Sequence, residues 1–193
     1  MTLLQPDRYF SRITHIDIGR DLLGRGLTCA LLDIDNTIRP RGSSGLPRDV
    51  GVWLGCARDA GVSICLVSNN WHRNVHELAA ELDLPIVAKA LKPLPHGFLM
   101  ALGKVGKRRS EAVVIGDQLL TDVAGAHIAG MRAYMLQPLV EQDLPHTLLL
   151  RNFEHVILGG RQPEPAPTSF RACAEDGAAR TGERRATAAQ EGR

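Results

Sequence analysis

Short apolar runs alternate with segments of helical spacing along most of this chain, and that alternation restricts its possible folds more than any other feature. The runs that we read as strands are LTCALLDI (27–34), VSICLVS (62–68), PIVAKA (85–90), EAVVIGD (111–117) and MRAYML (131–136). Between them, apolar residues recur three or four positions apart, as they do on one face of a helix. Strands that alternate with helices form a parallel sheet with helices on both faces. We therefore predict a doubly wound, Rossmann-like α/β fold.

The composition fits one globular domain followed by a tail. The chain has 193 residues, of which 44% are hydrophobic and 23% are charged, so it can bury one core. Residues 160–193 are instead rich in Pro, Gly, Ala and mixed charge, with too little apolar surface to offset the entropy of ordering. We predict a domain over residues 1–159 and a disordered tail over residues 160–193.

Cysteine usage and the first residues indicate a cytoplasmic protein, since the four cysteines are scattered without C-x-x-C spacing and MTLLQPDRYF lacks the basic start and long apolar stretch of a secretory signal. Lys plus Arg number 23 against 21 Asp plus Glu, so no global field draws the protein to nucleic acid or anionic lipid. We expect no transmembrane segment, because no apolar run approaches the roughly 18 residues of a membrane span. Any membrane contact would be peripheral, at the inner face. The helix-like opening PDRYFSRI offers an amphipathic face that we expect to pack on the core, with bilayer contact as the alternative.

Polar side chains end four successive predicted strands. They are Asp33-Ile34-Asp35-Asn36-Thr37 after the first strand, Ser68-Asn69-Asn70 after the second, Lys92-Pro93 after the third, and Gly116-Asp117 with Asp122 after the fourth. Taken singly, each set also fits a solvated turn, a helix cap or a surface lysine. In doubly wound sheets, however, ligands bind beyond the carboxyl ends of the strands. The four sets together therefore indicate a site, and its acid pairs call for a cation or a substrate.

The stretches LLDIDNTIRP, LVSNNWHRNV, KALKPLPHGF and VVIGDQLLTDVAGAHIAGM resemble the haloacid dehalogenase (HAD) superfamily of phosphohydrolases. They are most similar to the subclass IIIA phosphatases of the YqeG type, which are related to mitochondrial phosphatidylglycerophosphate phosphatases. The similarity covers about residues 3 to 158. D-x-D-x-T marks the superfamily, whereas SNN, KP and GDQLLTD together are more specific to the branch. The resemblance implies a phosphatase that works through an aspartyl-phosphate intermediate.

The resemblance also implies the catalytic residues. The first motif aspartate is the nucleophile in the family, which is Asp33 here, and Asp35 takes the role of general acid and base. Ser68 matches the hydroxyl that binds the transferring phosphoryl group. Lys92 matches the lysine that balances the charge of this group and of the nucleophile.

Substrate contacts are expected from residues around these motifs. Ser68 and Lys92 belong to this set, and Asn69 adds an amide or a backbone N–H. Arg73 could rim the crevice and contact phosphate, as could Arg39 and Arg41, with plain solubility as the alternative for all three. Arg39 also stands where the family often has an apolar residue, which leaves its role open.

A negative nucleophile repels a negative substrate, so a divalent cation is needed, and oxygen ligands favour Mg²⁺. By resemblance, Mg²⁺ is bound by the carboxylates of Asp33 and Asp117 and by the backbone carbonyl of Asp35. Asp122 completes the expected metal site, where it would contact either the metal ligands or a water molecule bound to the metal.

The spacing of the motifs leaves no room for a cap domain. About 30 residues separate Thr37 from Ser68, and about 23 separate Asn69 from Lys92, enough for one helix and one strand in each interval. HAD enzymes that close over small metabolites insert a cap in one of these intervals. The site should therefore be open, which favours a substrate with its own bulk, such as a lipid head group at a membrane surface, a nucleic acid end or a protein, although some uncapped members accept small sugars.

The leading functional hypothesis is a Mg²⁺-dependent phosphatidylglycerophosphate phosphatase. The first alternative is a HAD phosphatase for a nucleotide, a nucleic acid end or a sugar phosphate. Aromatic residues make up only 4% of the chain, so stacking platforms for nucleic acid are scarce. The second alternative is a regulatory or binding protein on a HAD scaffold that depends on a partner. The physiological substrate and the oligomeric state do not follow from the sequence.

Overall fold

The predicted parallel sheet is present in the computed structural model, which describes residues 3–41, 43, 45–139 and 160–166. Its strands are β1 (Arg8–Phe10), β2 (Cys29–Leu32), β3 (Ser63–Val67), β4 (Ile86–Val87), β5 (Ala112–Gly116) and β6 (Arg132–Leu136). All pairings are parallel, and the strand order is β1-β6-β5-β2-β3-β4. This topology confirms the doubly wound α/β fold.

Helices cover both faces of the sheet. They are α1 (Arg48–Asp59), α2 (Arg73–Glu81), α3 (Pro95–Val105) and α4 (Ala124–Ile128), with short 3-10 segments at Ile13–His15, Leu23–Arg25 and Arg109–Glu111 and π-helical turns at Ile18–Leu22 and Leu119–Val123. Helices α1 and α2 pack on one face and α3 and α4 on the other. Strand β2 is buried on both faces, because Ala30 and Leu32 face α1 and α2 while Cys29 and Leu31 face α3 and α4. None of the described helices has the length and apolar content to cross a membrane.

The opening of the chain differs from its predicted helix-like structure. Residues 8–10 form β1, which pairs with β6 in the register Arg8↔Tyr134 and Phe10↔Leu136. Tyr9 and Phe10 are buried on opposite faces of the sheet, which is the period of a strand and not of a helix. The helix-like interpretation was therefore wrong for these residues, although the segment does pack on the core.

Residues 160–166 lie against β1 at the sheet edge. The backbone N–H of Glu164 donates to the carbonyl of Tyr9 at 2.8 Å, and the Glu164 carboxylate binds the guanidinium of Arg8. The segment predicted as a disordered tail thus begins with residues that contact the domain. Residues 167–193 lie outside the described residues, and the disorder of that part stays a prediction.

The chain changes direction in the sheet at β2. From β2 it runs outward through β3 to β4, and it then crosses to the other side of β2 to form β5 and β6. Connections that leave β2 and β5 therefore diverge, which opens a crevice beyond their carboxyl ends. In their described parts, the two intervals in which a cap domain would be inserted hold only α1 with β3 and α2 with β4.

Candidate active site

Neighbouring strands deliver the predicted residues to one crevice. Asp33 and Ser68 extend the sheet ladder by one step each, since their backbone N–H groups donate to the carbonyls of Ile115 and Val87 at 2.9 and 3.0 Å. Asp117 directly follows β5 in the same way. The backbone of the sheet therefore holds these side chains at its carboxyl edge, and Ser68 and Asp117 are both buried.

Lys92 is clamped between two carboxylates. Its Nζ lies 2.5 Å from Oδ1 of Asp33 and 2.6 Å from Oδ1 of Asp122, and all three residues are buried. The Asn69 side chain fixes the loop that carries Lys92, because it accepts from the Lys92 N–H at 2.7 Å and donates to the Lys92 carbonyl at 3.0 Å. Asn69 thus holds the loop that carries Lys92. At the Asp33 end of the ion pair, the hydroxyl of Thr37 donates to Oδ2 of Asp33 at 3.3 Å.

Two glycines make this close packing possible. A Cβ atom at Gly116 would stand 2.3 Å from Cγ of Asp122, so only glycine leaves room for that carboxylate. A Cβ atom at Gly97 would stand 2.5 Å from the carbonyl oxygen of Ala90, where α3 supports the loop leading to Lys92. Gly116 therefore leaves room for the carboxylate of Asp122, and Gly97 allows α3 to pack closely against the loop that leads to Lys92.

Three carboxylates converge beside Lys92. Asp33, Asp117 and Asp122 each offer an oxygen within 4.8 Å of the others, and all three residues are buried. Burial raises the pKa of Asp33 to about 6. Lys92 lowers this pKa, but the nearby negative charge of Asp122 raises it and offsets part of the effect of Lys92. Burial, together with Asp33 and Asp122, also raises the pKa of Asp117 well above its usual range. The ammonium of Lys92, with a weaker contribution from the positive charge of Arg41 at Asp117, does not balance the three carboxylates.

The donor set of the cluster fits a hard divalent cation. Oδ1 of Asp117 is buried and has no hydrogen-bond partner among the described residues. An unpartnered buried acceptor is costly, about 1–3 kcal/mol, unless a ligand satisfies it. The cluster consists of carboxylates alone, which suits Mg²⁺ and not zinc, whose sites usually include Cys or His. The cluster is therefore a candidate metal site.

Asp35 and Arg39 form an ion pair at the edge of the crevice. Nη2 of Arg39 lies 3.3 Å from Oδ1 of Asp35, and Arg39 is only 2% exposed. A tight turn brings them together, because Asn36 has a left-handed φ of 63° and its N–H donates to the Arg39 carbonyl at 2.7 Å. Plain solubility is therefore the wrong interpretation of Arg39. Asp35 lines the crevice and lies outside the cluster of three acids.

The crevice is an open cleft of about 410 Å³. It is lined by Asp33, Asp35, Arg41, Ser68, Asn69, Asn70, Asn74, Lys92, Gln118 and Thr121. Arg73, an expected substrate contact, is not among these residues, because its guanidinium is exposed and pairs with Glu77 at 2.7 Å on α2. The neighbouring Asn74 faces the cleft instead. The sequence prediction selected Arg73 for its charge and therefore missed Asn74. The first turn of α2 decides which of the two side chains points towards the cleft.

Comparisons with known proteins agree with this geometry. A family model described as HAD-hydrolase-like matches residues 89–137, the stretch that holds Lys92, Asp117 and Asp122. The chain is 32% identical over 157 residues to the probable phosphatase YqeG of Bacillus subtilis, which spans 79% of this chain and 88% of that protein. It is 36% identical over 61 residues to the phospholysine phosphohistidine inorganic pyrophosphate phosphatase of Xenopus laevis, but only 22% of that protein is covered. One solved structure matches 81% of this chain and 97% of its own with a TM-score of 0.51 at 16% identity, a likeness of fold alone.

Proposed function

Because this chain belongs to the YqeG family of HAD phosphatases, we propose that it hydrolyses phosphatidylglycerophosphate with the help of Mg²⁺. The observation that carries the proposal is the buried contact of Asp33 with Lys92, beside two further carboxylates, at the floor of an open cleft. A carboxylate held against an ammonium is poised as a nucleophile, since the ammonium also offsets the charge of an incoming phosphate.

The first step forms a covalent phosphoryl-enzyme. A carboxylate oxygen of Asp33 attacks phosphorus, the bond from phosphorus to the leaving oxygen breaks, and Asp35 gives that oxygen a proton. Ser68 and Asn69 line the cleft and offer donors to the phosphoryl oxygens. Lys92 holds Asp33 in place throughout this step.

The second step releases inorganic phosphate. Asp35 now takes a proton from a water molecule, whose oxygen attacks phosphorus and returns Asp33 as a free carboxylate. Arg39 limits the motion of Asp35 through their ion pair, so that one carboxylate can serve both steps from the same place. Arg39 is thus a positioning residue for the proton transfers.

Asp33 and Asp117 would hold Mg²⁺, with Asp122 beside them. When bound, Mg²⁺ supplies positive charge that neutralises both the substrate phosphate and the nucleophile. The unpartnered oxygen of Asp117 and the raised pKa values of Asp33 and Asp117 support this assignment.

The cleft also supports the choice of substrate class. Amides and hydroxyls from Asn70, Asn74, Gln118 and Thr121 line it, and such groups suit a polyol such as glycerol. The cleft has no cap over its described part, so a head group that remains attached to a bilayer can enter. A soluble sugar phosphate is the second candidate, because the same polar lining would bind its hydroxyl groups.

The test is phosphate release by the purified protein with Mg²⁺. Phosphatidylglycerophosphate in mixed micelles is compared with a sugar phosphate, a nucleoside monophosphate and an aryl phosphate, and Asp33→Asn is the control. We expect the lipid to have the highest kcat/KM and the variant to be inactive on all four. A higher kcat/KM for the sugar phosphate would retain the chemistry and overturn the lipid assignment.

A second readout tests the metal without turnover. We expect Mg²⁺ to raise the thermal unfolding temperature of the unmodified protein by several degrees, since a ligand at a hundredfold excess over its Kd adds about 2.7 kcal/mol. Asp117→Asn should abolish this increase while the unfolding transition stays cooperative. An equal increase in Asp117→Asn would place the metal elsewhere.

A further inference from the structure

Three large apolar side chains stand exposed beside the cleft. Trp71, Leu91 and Leu94 are 62%, 55% and 57% exposed, which makes them the most exposed large hydrophobic residues of the described part of the chain. We name these three residues the apolar rim. Side chains of this kind usually lie in the core, and clustered exceptions mark surfaces that contact something.

Hydrogen bonds join the two loops that carry the apolar rim. The N–H of Lys89 donates to the Asn70 carbonyl at 3.3 Å, and the N–H of Ala90 donates to the Ser68 carbonyl at 2.9 Å. Nζ of Lys89 also lies 5.7 Å from the centre of the Trp71 ring. The apolar rim is therefore one continuous feature at the edge of the cleft, and Lys89 adds a positive charge to it.

The exposure of Leu91 is coupled to the burial of Lys92. Lys89 and Leu91 both adopt left-handed backbone conformations, with φ of 50° and 57°, which residues that carry a Cβ atom rarely occupy. Along this turn Ala90 and Lys92 are buried while Lys89 and Leu91 are exposed. The same turn that delivers Lys92 to Asp33 presents Leu91 to the surroundings.

We propose that the apolar rim inserts into the interface of an anionic phospholipid bilayer, an inference that rests on the proposed lipid substrate. Trp is suited to this place, since its ring is apolar while its N–H can bind water or head groups. Lys89 at the rim and Arg41 in the cleft complement a negative surface. Three side chains give weak and reversible binding, which lets the enzyme leave after turnover.

The position of the apolar rim favours a bilayer over a protein partner. Any large occupant of the rim would also cover the mouth of the cleft, since Asn69, Asn70 and Lys92 line the cleft and flank the rim residues in the chain. A stable protein partner would block the entry of substrate. A bilayer instead supplies the substrate from the surface that covers the cleft.

The chain contains its own reporter for this contact. It has two tryptophans, of which Trp53 is 0% exposed and Trp71 is 62% exposed. On addition of vesicles of equimolar phosphatidylcholine and phosphatidylglycerol, we expect the Trp71 emission to shift to shorter wavelength and brominated lipids to quench it. Trp71→Phe should remove this response, because Trp53 is shielded in the core, while sedimentation still detects bound protein.

Matched leucine variants test the role of the rim. Leu94→Ala should weaken sedimentation with these vesicles about tenfold, because it removes three of the four side-chain carbons and with them most of the transfer free energy of leucine. Leu23→Ala is the control, since Leu23 is exposed at the opposite, amino edge of the sheet, and it should bind as the unmodified protein does. Lys89→Gln should weaken binding to the anionic vesicles and not to pure phosphatidylcholine. Turnover of an aryl phosphate should be unchanged in all three variants, which shows that they are folded.

Several outcomes separate this inference from the proposed function. No response of Trp71 to vesicles would overturn the docking inference, and it would leave the function standing where micellar lipid is still hydrolysed. Vesicle binding without hydrolysis of the lipid would support docking and overturn the function. Equal binding by Leu94→Ala and Leu23→Ala would overturn the role of the rim. A dimer that Leu94→Ala dissociates, seen without vesicles, would assign the rim to a second copy of the chain and also overturn the inference.

Discussion

The described part of the chain holds two clusters of charge around buried carboxylates, and they are built on opposite principles. The first, which we name the edge cluster, consists of Arg8, Arg20, Asp21 and Glu164. Oxygens of Asp21 accept hydrogen bonds from Arg8 at 2.5 Å and from Arg20 at 2.7 Å. Burial alone would raise the pKa of Asp21, but the hydrogen bonds from the two arginines lower it to about 2. Two guanidinium groups therefore match two carboxylates.

The second, which we name the catalytic cluster after its proposed role, consists of Lys92 with Asp33, Asp117 and Asp122. One ammonium faces three carboxylates, and burial raises the pKa of both Asp33 and Asp117. The comparison teaches that burial of acids is not by itself a sign of function. In a matched cluster the loss of one partner destabilises the fold, whereas an unmatched cluster calls for a cation or a substrate from outside.

The largest expected effect is a loss of activity on substitution in the catalytic cluster. Asp33→Asn should lower kcat by a factor of about 10⁴ or more, because an amide cannot act as the nucleophile. Its thermal unfolding at neutral pH without metal should be no lower than that of the unmodified protein, since the change removes one charge from a crowded group of acids. Phosphate release and calorimetry measure the two effects. Normal turnover would remove Asp33 from the mechanism.

The corresponding substitution in the edge cluster should affect stability and not activity. Asp21→Asn should lower the free energy of unfolding by about 3 kcal/mol, because it leaves the largely buried guanidinium of Arg8 with fewer partners. The kcat of the folded enzyme should stay within about twofold, since Asp21 is remote from the cleft residues. Urea unfolding and steady-state kinetics check these outcomes. A loss of kcat with intact stability would contradict the division between structural and catalytic clusters.

Sequence reasoning located the catalytic cluster and missed the edge cluster for a physical reason. Asp33, Ser68 and Asp117 directly follow their strands and Lys92 follows β4 after a short loop, and parallel strands bring their ends together whatever the details of packing. The contact of Arg8 with Glu164 joins residues 156 positions apart. No local pattern predicts such a pair.

Local backbone geometry limited prediction elsewhere. Arg39 is buried because Asn36 turns the chain back with a positive φ, and composition does not reveal that turn. Strand β1 has three residues, which is too few for a period of two to be distinguished from a helical pattern. The expected substrate contact of Arg73 stays a prediction that the exposed pair with Glu77 does not support.

The two clusters should also respond to pH with opposite signs. The pKa of Asp21 is lowered from 3.8 to about 2, so its stabilisation is present above pH 4 and is lost as the pH falls towards 2, by about 2 kcal/mol. The pKa of Asp33 is raised from 3.8 to about 6, so in metal-free protein stability is lost as the pH rises from about 4 to 6.

Unfolding free energy measured against pH without metal checks both signs. Asp21→Asn should flatten the acid limb of the curve, and Asp33→Asn should flatten the limb between about pH 4 and 6. Added Mg²⁺ should reduce the second loss and leave the first unchanged, since among the described residues the group of three acids that could hold a metal ion is the catalytic cluster. A metal-free curve that rises from pH 4 to 6 would show that the acids of the catalytic cluster are better balanced than their burial implies.

The smallest expected effect lies at the exposed side of the edge cluster. Glu164→Gln should lower the free energy of unfolding by only about 1 kcal/mol, because the side chain of Glu164 is 31% exposed and solvent screens its pair with Arg8. Removal of residues 167–193 should leave stability nearly unchanged if that part is the disordered tail, whereas removal of residues 160–193 should cost at least as much as Glu164→Gln. Urea unfolding of the three variants measures these differences. Equal stability of the two truncated proteins would show that the contact of residues 160–166 with β1 contributes nothing, and that the Asp21 pair alone secures the edge.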